Sequence, residues 1–313
     1  MSQRACVVVN PSAGGGRAAR VLPAVRAKLS DGGLEVRDAP THDLDDARGL
    51  AVAAADRGET VVALGGDGLI GAVADALRAR PEAIMGVLPG GRGNDLVRAL
   101  GIPSDPVAAC AAITGGAVRA LDLGEVHGRA FVSIASAGFD SDANRIANAA
   151  PRALGRFVYA YGLVGALARW KPVRMTIELD PPSPPREYLA YTVAAANSGV
   201  YGGGMRLAPD ASMSDGLLDV VVIEAIPRLR FLALAPQVFS GAHVRLSVVH
   251  VMRAAEVRIS AERPFAVYAD GDPIAALPAL VRALPGAIRV FVPAAEAHRE
   301  SGDRIAAATE SER

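Results

Sequence analysis

Short apolar runs alternate with amphipathic stretches along the first hundred residues. Ala5-Cys6-Val7-Val8-Val9 is continuous and rich in β-branched side chains, and Asn10-Pro11 ends it. Val21, Val25 and Leu29 then recur at helical spacing until Asp31-Gly32-Gly33. Leu34-Glu35-Val36 is a weak second strand, and 41–57 reads as a helix with Leu44, Ala47, Leu50, Ala51 and Ala54 on one face. The strand 60–64 runs into Gly65-Gly66-Asp67-Gly68, and a helix follows with Ile70, Val73, Ala74 and Leu77 on one stripe. The strand 84–88 ends in Pro89-Gly90-Gly91-Arg92-Gly93; Asn94-Asp95 opens the next helix, which Gly101 and Pro103 close. Near-continuous apolar strands separated by helices predict a parallel sheet covered on both faces. Such sheets bind ligands outside the carboxyl ends of their strands, and three glycine-bearing loops sit there.

From about residue 125 the period changes. Strand-like runs at 130–134, 173–179, 188–194, 217–223, 256–260, 265–269 and 288–292 are separated by turn-rich pieces such as Pro181-Pro182-Ser183-Pro184-Pro185. Two helices interrupt them, at 152–170 and 227–240. The expected fold is therefore two-domain. A Rossmann-like parallel α/β domain over 1–124 precedes a mainly-β, sandwich-like domain over 125–293. A polar tail at 294–313 is able to pack back on the first domain.

Composition narrows the partners. Lysine plus arginine equals aspartate plus glutamate at 33 each, so no net charge draws the chain to nucleic acid. Cys6 and Cys110 lie far apart in apolar surroundings, as reduced thiols of a cytoplasmic protein do. The five histidines form no ligand cluster, and no targeting segment precedes the first strand. The apolar stretch 153–170 is interrupted by Arg156 and Arg169 and is short for a membrane span, so any lipid must be reached from the water side.

Glycine lets backbone amides approach a phosphate, and a following helix adds the positive end of its dipole. Asn10-Pro11-Ser12-Ala13-Gly14-Gly15-Gly16 has this form but lacks the lysine and spacing of a P-loop. Asp67 within Gly65–Gly68 is more informative, because a carboxylate inside an anion cradle would repel phosphate unless a cation bridges them. Gly93-Asn94-Asp95 repeats the arrangement at the next strand end. Spacing alone leaves two roles open for these acids, a metal–nucleotide site or caps and turn braces. Asp270-Gly271-Asp272 and Asp215-Gly216 are most simply turns.

Taken in order, these segments resemble the diacylglycerol kinase catalytic-domain family in its small soluble bacterial form. The resemblance rests on Val8-Val9-Asn10-Pro11, Thr41, Gly65–Gly68, Leu88 through Asp95, Arg98 through Pro103, Asp122-Leu123-Gly124, Ala137-Gly138-Phe139-Asp140, Asp215 through Leu218 and Asp270 through Asp272. It implies an ATP- and Mg²⁺-dependent kinase acting on a hydroxyl of diacylglycerol or a related lipid, with its active site between the two domains. It implies a nucleotide pocket of Asn10, Thr41, Gly65, Gly66, Asp67, Gly68, Gly91, Arg92, Asn94, Asp95 and Arg98. Asp272 matches the family's base for the lipid hydroxyl. The Asp215 carboxylate with the carbonyls of Ser212 and Leu217 matches a structural Mg²⁺ site. Asp67, Asp95 and Asp122 are candidates for organising the catalytic Mg²⁺.

The implied partner is a lipid at the inner membrane face; peripheral membrane contact and a homodimer are both compatible with it. An apolar stripe (Leu154, Phe157, Val158, Tyr161, Val164, Ala168) fits core packing better than acyl-chain contact, and Arg152, Arg156, Arg169 and Lys171 form a candidate headgroup patch. The chain departs from the family pattern at three positions: Leu69 and Arg92 stand where threonine is usual, and Asp272 where glutamate is usual. Two alternatives follow, a kinase of a soluble substrate such as NAD and a nucleotide-binding regulatory protein that has lost catalysis.

Overall fold

The computed structural model describes residues 3–139 and 170–295. The stripe at 154–168, Arg152, Arg156, Arg169, Asp140 and the tail beyond 295 lie outside the described residues. The chain divides into two compact units. The first takes the described residues up to Leu121 and from Gly286 onward, and the second spans Asp122–Pro285.

In the first unit, strands and helices alternate: β1 (Gln3–Val9), α1 (Ala13–Asp31), β2 (Leu34–Pro40), α2 (Leu44–Asp56), β3 (Thr60–Gly65), α3 (Asp67–Leu77), β4 (Ile84–Pro89), α4 (Asp95–Ala99) and α5 (Pro106–Gly115). The sheet order is β2-β1-β3-β4, all parallel. Residues 5–9 and 61–64 are buried throughout, as strands covered on both faces must be. Helix stripes close the layers: Val25 and Leu29 from α1, Ala47, Ala51 and Ala54 from α2, and Ile70, Val73, Ala74 and Leu77 from α3. The Asp43 side chain accepts the Asp46 amide, which starts α2 three residues later than the periodicity predicts. Because β2 and β3 lie on opposite sides of β1, the strand order reverses there. The carboxyl ends of β1 and β3 flank the position at which this topology opens a ligand crevice.

The second unit is antiparallel. After β5 (Ala117–Val126) come β6 (Arg129–Phe131), β7 (Ile134–Gly138), β8 (Val173–Leu179), β9 (Arg186–Ala196), β10 (Leu218–Glu224), α6 (Arg228–Leu234), β11 (Val249–Ala254), β12 (Glu256–Ala261), β13 (Ala266–Ala269), β14 (Asp272–Ala276) and β15 (Ala279–Val292). The order β14-β13-β7-β9-β8-β12 continues onto the first residues of β15, and β10 joins β9 to β11. Its core is built on Phe131, Phe139, Met175, Ile177, Tyr191, Val220 and Val257. The fold is thus a parallel α/β unit and an antiparallel, sandwich-like unit.

Three sequence expectations need correction. The run 130–134 is not one strand, because the Asp270 carboxylate takes the amides of Val132, Ser133 and Ile134 and splits it into β6 and β7. The run 288–292 does not belong with the antiparallel strands: Arg289 and Val290 pair in parallel with Ile84 and Met85 of β4 in the first unit. The helix expected at 227–240 is α6 followed by a tighter 3₁₀ turn, Ala235–Phe239, with Pro236 near its start.

Candidate active site

The three glycine loops of the first unit meet. The Asn10 amide bonds the Leu64 carbonyl at 3.3 Å, and the Gly90 amide bonds the Gly65 carbonyl at 2.7 Å. A Cβ on Gly14 would lie 2.5 Å from the Gly90 carbonyl oxygen, and one on Gly91 only 2.4 Å from the Gly66 Cα. Glycine is required at these places because backbone packs on backbone. A Cβ on Gly15 or on Gly68 would meet nothing within 4 Å, so the space on that side of each residue is open. Gly66 caps α3, so that helix contributes the positive end of its dipole at the same place.

Asp67 links two loops. Its Oδ2 accepts the Asn94 amide at 2.8 Å and its Oδ1 the Asp95 amide at 2.6 Å. A Cβ on Gly93 would lie 2.2 Å from Asp67 Oδ2, so a side chain there would have to displace the carboxylate that holds the loop. Asn94 is left-handed (φ 54°), and its amide group closes the loop on Gly91 in both directions, at 3.0 and 3.1 Å. Asp95 is buried and faces Arg98 at 3.4 Å, while Arg98 also donates to the Gly93 carbonyl. Thr41 is buried, with its hydroxyl donating to the Asp43 carbonyl at 2.5 Å, and Asn10 Oδ1 accepts from the Ser12 amide and hydroxyl. Arg92 is exposed and without a partner among the described residues. Leu69 is 3 % exposed, and its Cδ2 would touch a Cβ on Gly65 at 2.5 Å. It therefore fills core beneath the loop.

The second unit carries the other predicted residues in two groups. Asp270 (φ 49°) and Gly271 (φ 94°) make the left-handed turn between β13 and β14. Asp270 is pinned by the three amides that split β6 from β7. Asp272, the first residue of β14, is exposed and makes no side-chain hydrogen bond or ion pair with the described residues. In the other group, Asp122 is 3 % exposed, and its Oδ2 accepts the Gly216 amide at 2.7 Å while its own amide bonds the Met213 carbonyl. The structure thus brings Asp122 to the Ser212–Leu217 turn. Asp67 and Asp95 keep company in the first unit. Asp215 Oδ1 accepts the Leu217 amide, and its other oxygen pairs with Arg253, which also lies 3.8 Å from buried Asp219.

Asn197 escaped the sequence reading. It is fully buried and donates to the Asp122 and Val132 carbonyls at 3.0 and 2.7 Å, yet its own Oδ1 has no partner among the described residues. A lone asparagine at a strand end carries no periodic signal, so nothing in the sequence singled it out. Among the described residues no three His, Cys, Asp or Glu side chains converge to hold a metal by themselves. The Asp215 and Asp122 carboxylates and the carbonyls of Ser212 and Leu217 are oxygen ligands of the type Mg²⁺ takes; in this structure Asp215 is engaged by the Leu217 amide and Arg253, and one Asp122 oxygen by the Gly216 amide. A shallow depression of about 460 Å³ at the amino ends of β3 and β4, lined by Asp56, Glu59, Arg80 and Glu82 among others, contains none of the predicted residues.

Comparison with known proteins decides the family. Residues 4–126 match the diacylglycerol kinase catalytic domain, and residues 133–292 match the YegS C-terminal NAD kinase beta sandwich-like domain. A diacylglycerol kinase of Mycobacterium tuberculosis is 34 % identical over 295 residues, covering 91 % of this chain and 94 % of that one. The chain belongs to the diacylglycerol kinase family. A diacylglycerol kinase of Bacillus subtilis is 29 % identical over 276 residues, covering 86 % of this chain and 90 % of its own. The fold is shared with the crystal structure of a diacylglycerol kinase from Bacillus anthracis, at TM-score 0.74 and 20 % identity, over 94 % of this chain and 98 % of that one. For this diacylglycerol kinase family member, residue 69 is buried below the glycine loop, so its hydroxyl-free side chain leaves the loop's open face unchanged.

Proposed function

We propose that the chain transfers the γ-phosphoryl group of ATP, with Mg²⁺, to a hydroxyl of diacylglycerol or a related lipid. The observation that carries this reading is the junction of three glycine loops at the reversal of strand order, two of them tied together by the Asp67 carboxylate. Phosphates lie against the Gly65–Gly68 loop and the amino end of α3, with Asn10, Thr41 and the Gly91–Asn94 loop around them. Asp67 fixes the second loop by its two amide bonds. Arg92 supplies a free guanidinium and Arg98 a second one held near Asp95. Mg²⁺ supplies charge neutralisation on the phosphates when bound, with Asp67 and Asp95 the nearest carboxylates to that loop. Asp215, Ser212, Leu217 and Asp122 would hold a second, structural Mg²⁺.

Asp272 is the group with the right freedom for a base. Its carboxylate is exposed and uncommitted, whereas Asp270 two residues earlier is saturated with amides. It would accept the proton of the attacking lipid hydroxyl. Phosphoryl transfer otherwise asks for positioning and charge neutralisation.

The test is to incubate the protein with Mg-ATP and a total lipid extract and identify phosphorylated species by mass spectrometry, with NAD in a parallel reaction. A phosphorylated glycerolipid is expected. Phosphorylated NAD alone would move the reading to a soluble substrate, and ATP binding without any transfer would make the chain a regulatory protein.

A further inference from the structure

A helix on a protein surface ordinarily turns its apolar residues inward and its polar ones outward. α6 and the 3₁₀ turn after it depart from this rule. Phe231 does turn inward, with its ring stacked on Tyr191 at 4.5 Å and meeting Phe139 edge-on at 5.0 Å. The outward side is apolar as well. Leu229, Leu232, Ala233 and Pro236 follow one another at the three- and four-residue steps of a helix face, and all four are exposed. Leu229 is 82 % exposed, and Phe239, at the end of the turn, 60 %.

The charge of this stretch is one-sided. From 225 to 255 there is no aspartate or glutamate, but there are four arginines, at 228, 230, 245 and 253. Arg253 is spent on Asp215, and Arg228 donates to the Trp170 carbonyl. Arg230 and Arg245 are exposed and without partners among the described residues. An apolar strip with exposed, unpaired guanidinium groups in the same stretch of chain fits an anionic bilayer, where apolar side chains enter the headgroup boundary and arginines meet lipid phosphates. No helix among the described residues is long and apolar enough to cross a membrane.

We propose that the 227–245 stretch is a docking surface for an anionic bilayer, with Leu229, Leu232 and Phe239 inserting and Arg230 and Arg245 contacting headgroups. The proposal rests on the lipid-kinase reading above and gives that enzyme its route to a water-insoluble substrate.

Co-sedimentation of the full chain with phosphatidylcholine vesicles, with and without phosphatidylglycerol, tests it. Wild type should bind the anionic vesicles and release them as salt rises. Leu229→Ser/Leu232→Ser/Phe239→Ser and Arg230→Glu/Arg245→Glu should each lose roughly tenfold or more in vesicle affinity. Their melting temperature should match wild type, since the altered side chains are exposed. Equal vesicle binding by wild type and both variants overturns the proposal. So does a dimer, seen by sedimentation velocity, that the triple substitution splits, because the strip would then face a second copy. Phosphorylation of a short-chain, water-dispersed diacylglycerol is measured alongside. Activity there without vesicle binding would sink the docking surface and spare the kinase reading; strip-dependent vesicle binding without any lipid phosphorylation would do the reverse.

Discussion

Two aspartates on one turn have opposite situations. Asp270 takes three backbone amides and anchors β7, so Asp270→Ala strands those donors and should cost about 2–4 kcal/mol of stability, read from chemical denaturation. Asp272 holds nothing, so Asp272→Asn should leave the melting temperature within about a degree of wild type. Its effect belongs to the chemistry. Asp67→Ala frees the Asn94 and Asp95 amides and should weaken Mg-ATP binding by an order of magnitude or more in calorimetric titration. Normal affinity in that variant would reduce Asp67 to a dispensable loop tie. His243 is buried, with Nε2 at 3.1 Å from the Leu207 carbonyl. Burial lowers its pKa below 6.5. The folded state therefore disfavours the charged form, and the unfolded chain binds the extra proton first. Stability contributed by His243 is complete above about pH 6.5 and is lost as pH falls through the lower folded value. His243→Leu should flatten that acid-side loss in melting temperature; an unchanged pH profile would clear His243 of it.

At the scale of elements, the glycine loops decide what the strands can present. A methyl group at residue 91 would meet the Gly66 Cα at 2.4 Å and the Gly66 nitrogen at 3.2 Å, backbone atoms that cannot swing aside. Gly91→Ala should therefore lower both the melting temperature and ATP affinity, and a variant with wild-type values for both would mean the loops need not touch. The loops were legible in the sequence because strand, glycines and amphipathic helix come in fixed order, and the apolar runs of β1, β3 and β4 are buried on both faces. The antiparallel unit was harder to read. β11 was missed because its burial alternates and His250 and Arg253 interrupt its apolar pattern. β14 is an edge strand carrying Pro273 and two alanines, residues with little strand preference. The pairing of Asp122 with the 212–217 turn spans more than ninety residues and leaves no local trace.

For the molecule as a whole, the two units are not two consecutive pieces of chain. The division falls inside β15, at Pro285-Gly286, and the residues after it lie in the parallel sheet beside β4. A Pro-Gly pair reads as a break in the sequence, which hid both the first half of β15 and the return of its second half. The first unit carries the nucleotide loops and the second carries Asp272, and the proposed reaction needs both. The most direct measurement of that claim is transfer of the labelled γ-phosphate of ATP to dispersed diacylglycerol by wild type and by Asp272→Asn, with ATP affinity measured on the same preparations. Lipid labelling by wild type, a loss of at least about a hundredfold in the variant and equal ATP affinity in both are predicted. Comparable labelling by the two proteins would contradict the account.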